Sequence, residues 1–310
     1  MSELTKTVTV LIPHYGHPGP TLALIGILKA SSPHQIVVCD DCSPAPFPEV
    51  AGVHVVRREI NGGFAAAVNS AARIASGDYL LILNSDLDIS PSLPDELLRV
   101  AAELPSAVLG PRIFDAEGNI TYSARRWPTI TNQTVEWLTP LARWRHRAWM
   151  RRLLGHEQSV LNSVGPMAVD WLVGAAFLVP ASEFRAVGGL DEQFYMNSEE
   201  IDLQRRLAER GVKRIYVPWV SVLHEGGGSS DPAERRRWLV NSQLVYAKKW
   251  GGSKRLRLAL TTATVVNLAW NGLRRLRGVR VEPLTVAREE LSLIWDHRRQ
   301  GDAPESGTRS

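Results

Sequence analysis

The first eighty residues predict an α/β fold, a mainly parallel sheet flanked by helices, on three observations. Short β-rich runs alternate with helical stretches, the runs are apolar on both faces, and polar residues gather directly after them. Strands apolar on both sides belong to a sheet covered on both faces. In such sheets ligands sit at the carboxyl ends of the strands. Here those ends carry Pro13-His14, Asp40-Asp41 and Asn84-Ser85-Asp86.

The elements follow in order. Val8-Thr-Val-Leu-Ile, closed by Pro13, is a first buried strand. Residues 21–30 have a helical pattern, and Gln35-Ile-Val-Val-Cys is a second strand. Val53-His-Val-Val makes a third, residues 64–76 an Ala-rich helix, and Asp78-Tyr-Leu-Leu-Ile-Leu a fourth, continuously apolar strand. Residues 97–103 are helical and 107–112 form a short strand. Residues 121–163 are rich in Trp and Arg without a strand pattern. The apolar run 168–179 is predicted as one strand whose Gly174 lets a ligand approach closely. A helix over 201–210 ends at Gly211, and Ile215-Tyr-Val is a strand. His224-Glu-Gly-Gly-Gly-Ser-Ser is expected to be a flexible loop, residues from Pro232 are helical, and 301–310 are expected to be a disordered tail. The predicted division is a catalytic domain over 1–230, a basic helical extension over 231–300, and that tail.

A chain of 310 residues, 44% hydrophobic, has ample length for a buried core and is not disordered in composition. The formal charge is only +4, but Arg143–Arg152 and Lys254–Arg280 are strongly basic, which suits an acidic membrane surface or a phosphate-bearing ligand. Cys39 and Cys42 are the only cysteines. No second pair completes a zinc site, so they are expected to be small apolar fillers. Scarce cysteine fits a reducing cytoplasm. The start has no signal-peptide pattern, and no run reaches the roughly 20 apolar residues of a spanning helix.

The motifs that carry chemistry are acidic. Residues 191–202 crowd five carboxylates into twelve positions beside the small-residue run that starts at Trp171. Adjacent like charges destabilise unless a site uses them. Equally, Asn197 or Ser198 is a good N-cap, and acids favour a first helical turn. Asp40-Asp41 either starts a turn or accepts from a nucleobase or ribose. Asn61-Gly-Gly-Phe resembles a glycine turn feeding a helix N-terminus, which can hold a phosphate, but the dinucleotide and P-loop glycine patterns are missing. Asn84-Ser85-Asp86-Leu87-Asp88 after a fully apolar strand suits Mg²⁺ or Mn²⁺ held by carboxylate and diphosphate. His224 is a candidate further ligand.

Together these pieces resemble family 2 glycosyltransferases, inverting nucleotide-sugar enzymes with the Rossmann-like GT-A fold. The matching residues are Val10-Leu-Ile-Pro13, Asp40-Asp-Cys-Ser43, the run from Asn61 to Asn69, Leu81-Ile-Leu-Asn-Ser-Asp86, the run from Trp171 to Pro180, Gly188-Gly-Leu-Asp-Glu192, Glu199-Glu-Ile-Asp-Leu203 and His224. They cover about residues 7–230 and look closest to the bacterial rhamnosyltransferase-like branch, which assembles cell-envelope polysaccharide on lipid carriers. The resemblance implies that Pro13 and Asp41 hold the nucleoside and that Asn61 and Asn69 shape its pocket. It places Asn84, Ser85, Asp86, Trp171 and Gly174 at the nucleotide sugar. It makes Asp86 and His224 the ligands of a Mg²⁺ or Mn²⁺ cofactor, and Glu200 the catalytic base with Glu199 beside it. Two departures stand out. Asn84-Ser85 replaces the first two acids of an Asp-Asp-Asp form, and Glu-Glu replaces the commoner Glu-Asp. Repulsion between the two glutamates is expected to keep one a competent base.

The implied partners are a dTDP- or UDP-sugar donor, with L-rhamnose from its dTDP form the expected sugar, and a lipid-linked or polysaccharide acceptor. Trp137, Trp144 and Trp149 interleave with Arg143, Arg145, Arg147, Arg151 and Arg152. That pattern suits stacking on single-stranded nucleic acid, a membrane interface, or packing on the core or a second subunit. The basic C-terminal segments favour the membrane, so the expectation is a cytoplasmic protein peripheral at the inner face of an anionic membrane, with a homo-oligomer possible and no nucleic-acid partner. A nucleotide-sugar-binding protein without turnover is the rival from another class.

Overall fold

The computed structural model describes residues 6–30, 34–224 and 231–296. The expected flexible loop after His224 and the expected C-terminal tail lie outside the described residues. The chain runs β1 (Val8–His14), α1 (Gly19–Lys29), β2 (Gln35–Asp40), β3 (His54–Arg57), α2 (Gly63–Ala72), β4 (Tyr79–Leu83), β5 (Leu87–Ile89), α3 (Leu93–Glu103) and β6 (Ala107–Phe114). It continues through β7 (Ala124–Arg125), α4 (Ile130–Trp137), α5 (Ala148–Leu153), β8 (Met167–Ala168), β9 (Trp171–Leu172), β10 (Ala176–Pro180), α6 (Ala181–Ala186), α7 (Glu199–Glu209) and β11 (Lys213–His224). Three helices follow: α8 (Pro232–Trp250), α9 (Ser253–Leu276) and α10 (Pro283–Trp295).

The main sheet has the order β3-β2-β1-β4-β10-β6-β11-β5, with β8 also paired to β11. The sheet is mainly parallel, as predicted: β6 and β11 pair in parallel and run in the direction of β4, so six of the nine strands share one direction. β3, β2, β1 and β4 are parallel, whereas β10 runs antiparallel to both β4 and β6, and β5 and β8 run antiparallel to β11. Strand β4 shows why the sheet needs two covers. Leu81 and Leu83 face one way, toward Leu24 and Leu28 of α1 and Leu93 and Leu97 of α3. Leu80 and Ile82 face the other, toward the alanines of α2, Phe184 of α6 and Leu203 of α7. The Ala-rich sequence of α2 lets that helix lie close on the sheet, and eight of its residues are buried.

Two predicted elements change. The run 168–179 is not one strand. It breaks after Leu172, so that Trp171-Leu172 pairs with Ala124-Arg125 in a separate two-stranded sheet while Ala176–Pro180 joins the main one. An apolar run is equally compatible with both halves, so periodicity alone could not reveal the break. β11 runs far beyond Ile215-Tyr-Val, because a register shift between Val217 and Ser221 accommodates Pro218 without ending the strand.

The chain divides into two compact units. One holds the described residues before Trp127 and those from Ser159 to His224; the other holds Trp127–Gln158 and the described residues from Asp231 onward. In the second unit Val240, Leu244, Leu256, Leu260 and Ile294 form a small core, with Ile130 and Trp137 packed on it. The Trp/Arg-rich segment thus packs with the C-terminal helices. Trp137 Nε1 donates to Thr264 Oγ1 at 2.9 Å, and Asn267 accepts from the Thr139 N–H at 2.8 Å.

Candidate active site

The strand ends meet as the sequence predicts. Pro13 and His14 lie beside Cys39 and Asp40, and the Asp41 N–H donates to the His14 carbonyl at 2.9 Å. Asp40 is fully buried and closes its own loop, accepting from the Ser43 and Phe47 N–H groups and from Arg57. Burial pushes its carboxyl up, but those donors outweigh burial and hold it below its usual value.

Asp41 has internal partners that the sequence did not reveal. Its carboxylate accepts from the N–H groups of Gly62 at 3.0 Å and Gly63 at 2.7 Å, and forms an ion pair with Arg58, whose Nε lies 2.8 Å away. The glycine turn, of a kind that can hold a phosphate, thus receives the chain's own acid, since a helix N-terminus favours an anion. Burial still pushes the Asp41 carboxyl above its ordinary value. Gly63 has φ of +82°, and a Cβ there would meet the Tyr195 carbonyl oxygen at 2.0 Å. That approach brings in the loop before α7: Phe64 N–H donates to the Tyr195 carbonyl, and the Tyr195 hydroxyl to Asn61 Oδ1 at 2.9 Å.

Asn69 pins the same loop. Its Nδ2 donates to the Leu190 carbonyl at 2.8 Å and to Glu192 Oε1 at 2.9 Å, and its Oδ1 accepts from the Leu190 N–H. Asp202 pairs with Arg206, which also donates to the carbonyls of Val187 and Gly189. Three of the five crowded acids are thereby explained by local hydrogen bonding, since Asp191 accepts from the Gln193 N–H.

Glu199 and Glu200 remain, at the first turn of α7. Ser198 occupies the N-cap position as expected but makes no side-chain cap bond, and it and Asn197 have φ of 69° and 70°. Two successive non-glycine residues in the left-handed region cost on the order of 1–3 kcal/mol each and persist only where the surroundings impose them. Their effect is to turn the chain so that α7 opens directly on two glutamates. Glu199 is buried, and burial first, then the neighbouring Glu200, pushes its carboxyl well up. Glu200 is half-buried, and burial pushes it up too, opposed by the Gly174 N–H and by the charge of Arg125. Burial, more than mutual repulsion, raises the pair. One oxygen of each, Oε2, is buried with no hydrogen-bond partner among the described residues.

Gly174 is the floor under Glu200. A Cβ there would sit 3.2 Å from both Cβ and Cγ of Glu200. The distance is fixed by Gln204, one turn further along α7. Gln204 Oε1 accepts from the Leu172 N–H at 2.8 Å, and its Nε2 donates to the Leu172 carbonyl at 2.7 Å. Trp171 is buried, its indole N–H donates to the Arg126 carbonyl, and Arg125 lies 5.7 Å over its ring. The Asn84 N–H donates to the Ala175 carbonyl, so the Gly174 segment lies against the end of β4. Asn84 and Ser85 are part-exposed there. Two residues on, Asp86 Oδ1 stands 3.3 Å from His224 Nε2, because Leu87 pairs with His224 across β5 and β11. Burial pushes the Asp86 carboxyl up, but His224 holds it below its ordinary value.

The structure thus gathers Gly174, Glu200, Asn84, Asp86 and His224 at one end of the sheet. Pro13, Asp41 and Asn61 lie around the neighbouring strand ends. Sequence reasoning missed Gln204, Tyr195, Arg58 and Arg125. Gln204 left one trace, a polar residue on the apolar face of an amphipathic helix. Cys39 is a buried filler as expected, with its thiol pushed up to about 12 by burial, whereas Cys42 is part-exposed with φ of 63° and its Sγ donates to the Glu59 carbonyl.

A family model described as glycosyl transferase family 2 matches residues 9–156. Over 253 residues the chain is 30% identical to the N-acetylglucosaminyl-diphospho-decaprenol L-rhamnosyltransferase of Mycobacterium tuberculosis (strain H37Rv), covering 74% of this chain and 80% of that protein. The chain belongs to glycosyl transferase family 2. This glycosyltransferase is also 27% identical over 257 residues to the rhamnosyltransferase WbbL of Escherichia coli K12, covering 77% and 92% of the two chains. Its fold is GT-A-like. It superposes on GalNAc-T7, crystallised with UDP, GalNAc and Mn²⁺, with a TM-score of 0.60 at 15% identity over 85% of this chain and 51% of that one. On S. aureus TarS 1–349 in complex with UDP the TM-score is 0.51 at 12% identity, covering 96% and 93%.

Proposed function

We propose that the enzyme transfers a sugar, L-rhamnose from dTDP-rhamnose, to a lipid-linked or polysaccharide acceptor in cell-envelope glycan synthesis, inverting the anomeric centre. The observation that carries the chemistry is the placement of Glu200. Its carboxylate is raised by burial, seated on the Gly174 floor, and next to the strand end that bears Asp86 and His224. The donor and acceptor classes are supported by the similarity to rhamnosyltransferases, one of which carries a lipid diphosphate acceptor in its name.

A sugar hydroxyl is a weak nucleophile, and a positioned carboxylate takes its proton as the new bond forms. Glu200 Oε2, without a hydrogen-bond partner among the described residues, is the acceptor for that proton. A carboxylate raised by burial is a better base than an ordinary one, provided the pH is high enough to ionise it. Glu199 sits deeper, and burial and the neighbouring Glu200 push its carboxyl well up. Around the neighbouring strand ends, Pro13, Asp41 and Asn61 frame the nucleoside.

One carboxylate and one imidazole, Asp86 and His224, fit a Mg²⁺ or Mn²⁺ ion whose other ligands are diphosphate and water oxygens, and no cluster of three or more protein ligands gathers among the described residues. Such an ion, when bound, neutralises charge on the leaving nucleoside diphosphate. The test is release of nucleoside diphosphate across a panel of nucleotide sugars with Mg²⁺ or Mn²⁺. dTDP-rhamnose is expected to be the best donor, and Asp86→Asn and excess chelator are each expected to lower turnover. Release from another donor alone would replace the sugar, and full activity in chelator would remove the metal.

A further inference from the structure

The second unit carries a surface that neither catalysis nor its own core uses. Helix α9 turns Leu256, Leu260, Ala263, Asn267 and Asn271 inward. On the opposite face Leu258, Val265, Val266, Leu273 and Leu276 stand out, Leu258 66% and Leu276 86% exposed. At 100° per residue these five fall within about a quarter of the helix circumference, a continuous stripe roughly 27 Å long at 1.5 Å per residue. An apolar stripe this long is not left bare in water without a purpose.

Charge identifies what covers it. From Ser253 to Arg280 there is no acidic residue, while Lys254, Arg255, Arg277 and Arg280 flank the two ends of the stripe. A second copy paired through α9 would bring basic ends against basic ends in either orientation, which disfavours self-association. An anionic surface meets both requirements. Beside the stripe, Leu138, Leu258, Ala259, Ala263 and Val266 line an open, almost wholly apolar groove of about 440 Å³, with Arg255 at its rim. The segment 138–154, also without an acid, supplies the flank. Arg143 lies over Trp144 at 4.1 Å and 6.0 Å from Trp270 of α9, and Trp144 lies 6.2 Å from the half-exposed Trp149. Arginine, tryptophan and an apolar helix face together are the composition of an interfacial membrane contact.

We infer that α9, with the groove beside it and the Trp144–Trp149 flank, is a monotopic docking surface for an anionic lipid bilayer, the stripe lying in the headgroup boundary and the groove receiving a lipid chain. No described helix is long and apolar enough to span, so the contact lies in the plane of the bilayer. The inference deepens the lipid-linked acceptor proposed above and rests on that proposal only for its purpose, because docking requires no turnover.

Flotation of the full-length protein with phosphatidylcholine vesicles, with and without phosphatidylglycerol, tests it in the absence of donor and acceptor. Binding is expected to the anionic vesicles, weakened by salt but not abolished. Arg277→Gln and Arg280→Gln are each expected to lower affinity about fivefold. Leu258→Gln combined with Leu276→Gln is expected to lower it about tenfold or more. Both leucines are exposed, so the fold survives, and an unchanged thermal melt checks that. Turnover of a water-soluble acceptor is expected to be unaffected by all four substitutions, which separates this inference from the catalytic proposal. Equal binding by the Leu258/Leu276 variant would overturn it. So would tighter binding to a single-stranded oligonucleotide at the same salt, or a dimer that the same substitutions split into monomers.

Discussion

Asp41 and Glu200 are both acids pushed up by burial at the same end of one sheet, and they differ in what the chain gives them. Asp41 receives two backbone N–H groups and a guanidinium. Glu199 and Glu200 together receive mainly backbone N–H groups of their own turn and of Gly174, and each keeps a buried oxygen unpartnered. A saturated carboxylate is a structural part: it locks the Gly62-Gly63 turn beneath Tyr195. An unsaturated one stores a cost that a substrate proton or hydroxyl can relieve. Burial alone therefore does not set the proposed base apart; a buried oxygen without a donor separates the Glu199–Glu200 pair from Asp41.

Neutralising each acid breaks the comparison most directly. Asp41→Asn leaves the Arg58 charge without its counter-ion and one glycine N–H without an acceptor, and is expected to cost roughly 3–5 kcal/mol in urea unfolding. A loss below 1 kcal/mol would mean that the acid is not structural. Gln204→Leu strands the Leu172 N–H and carbonyl, for an expected loss of roughly 2–4 kcal/mol. Activity per folded molecule should fall with it, because α7 loses its register over Gly174. Gly174→Ala pushes a methyl into Glu200 and is expected to lower kcat about a hundredfold with little change in KM for the donor. An unchanged kcat would show that the glutamate has room to move.

Glu199→Gln is the smallest effect and has the opposite sign. A carboxyl raised in the folded state contributes stability below its unfolded pKa and loses it as pH rises through the folded pKa. The variant is thus expected to be about 1–2 kcal/mol more stable than wild type at neutral pH and equal to it in acid. Destabilisation at neutral pH would show that the ionised Glu199 is paired.

Much of this was legible in the sequence. Alternating apolar runs placed β1, β2, β3 and β4, and the polar residues after them marked the ligand end, because strand burial and strand direction are local properties. The break after Leu172 was not legible, since both halves of the run are apolar and only tertiary pairing assigns them to different sheets. Nor were the internal partners of Asp41: Gly62 and Gly63 lie about twenty positions away, and only folding brings their N–H groups onto its carboxylate. Glu199-Glu200 was visible as a cluster. Which acids of that cluster were spent on Asn69, Gln193 and Arg206 depended on residues up to about 120 positions away.

The central claim is that Glu200, not Glu199, takes the proton of the acceptor hydroxyl. The pH profile of kcat for nucleoside diphosphate release, in wild type, Glu200→Gln and Glu199→Gln, tests it most directly. Wild type is predicted to lose activity on the acid side with a midpoint above the ordinary glutamate range. Glu200→Gln is predicted to fall about 10²–10⁴-fold and to lose that acid limb. Glu199→Gln is predicted to keep the limb close to its wild-type position, because Glu199, pushed well up by burial and by Glu200, carries no charge where Glu200 ionises. An acid limb that survives in Glu200→Gln and vanishes in Glu199→Gln would move the base by one residue and contradict the account.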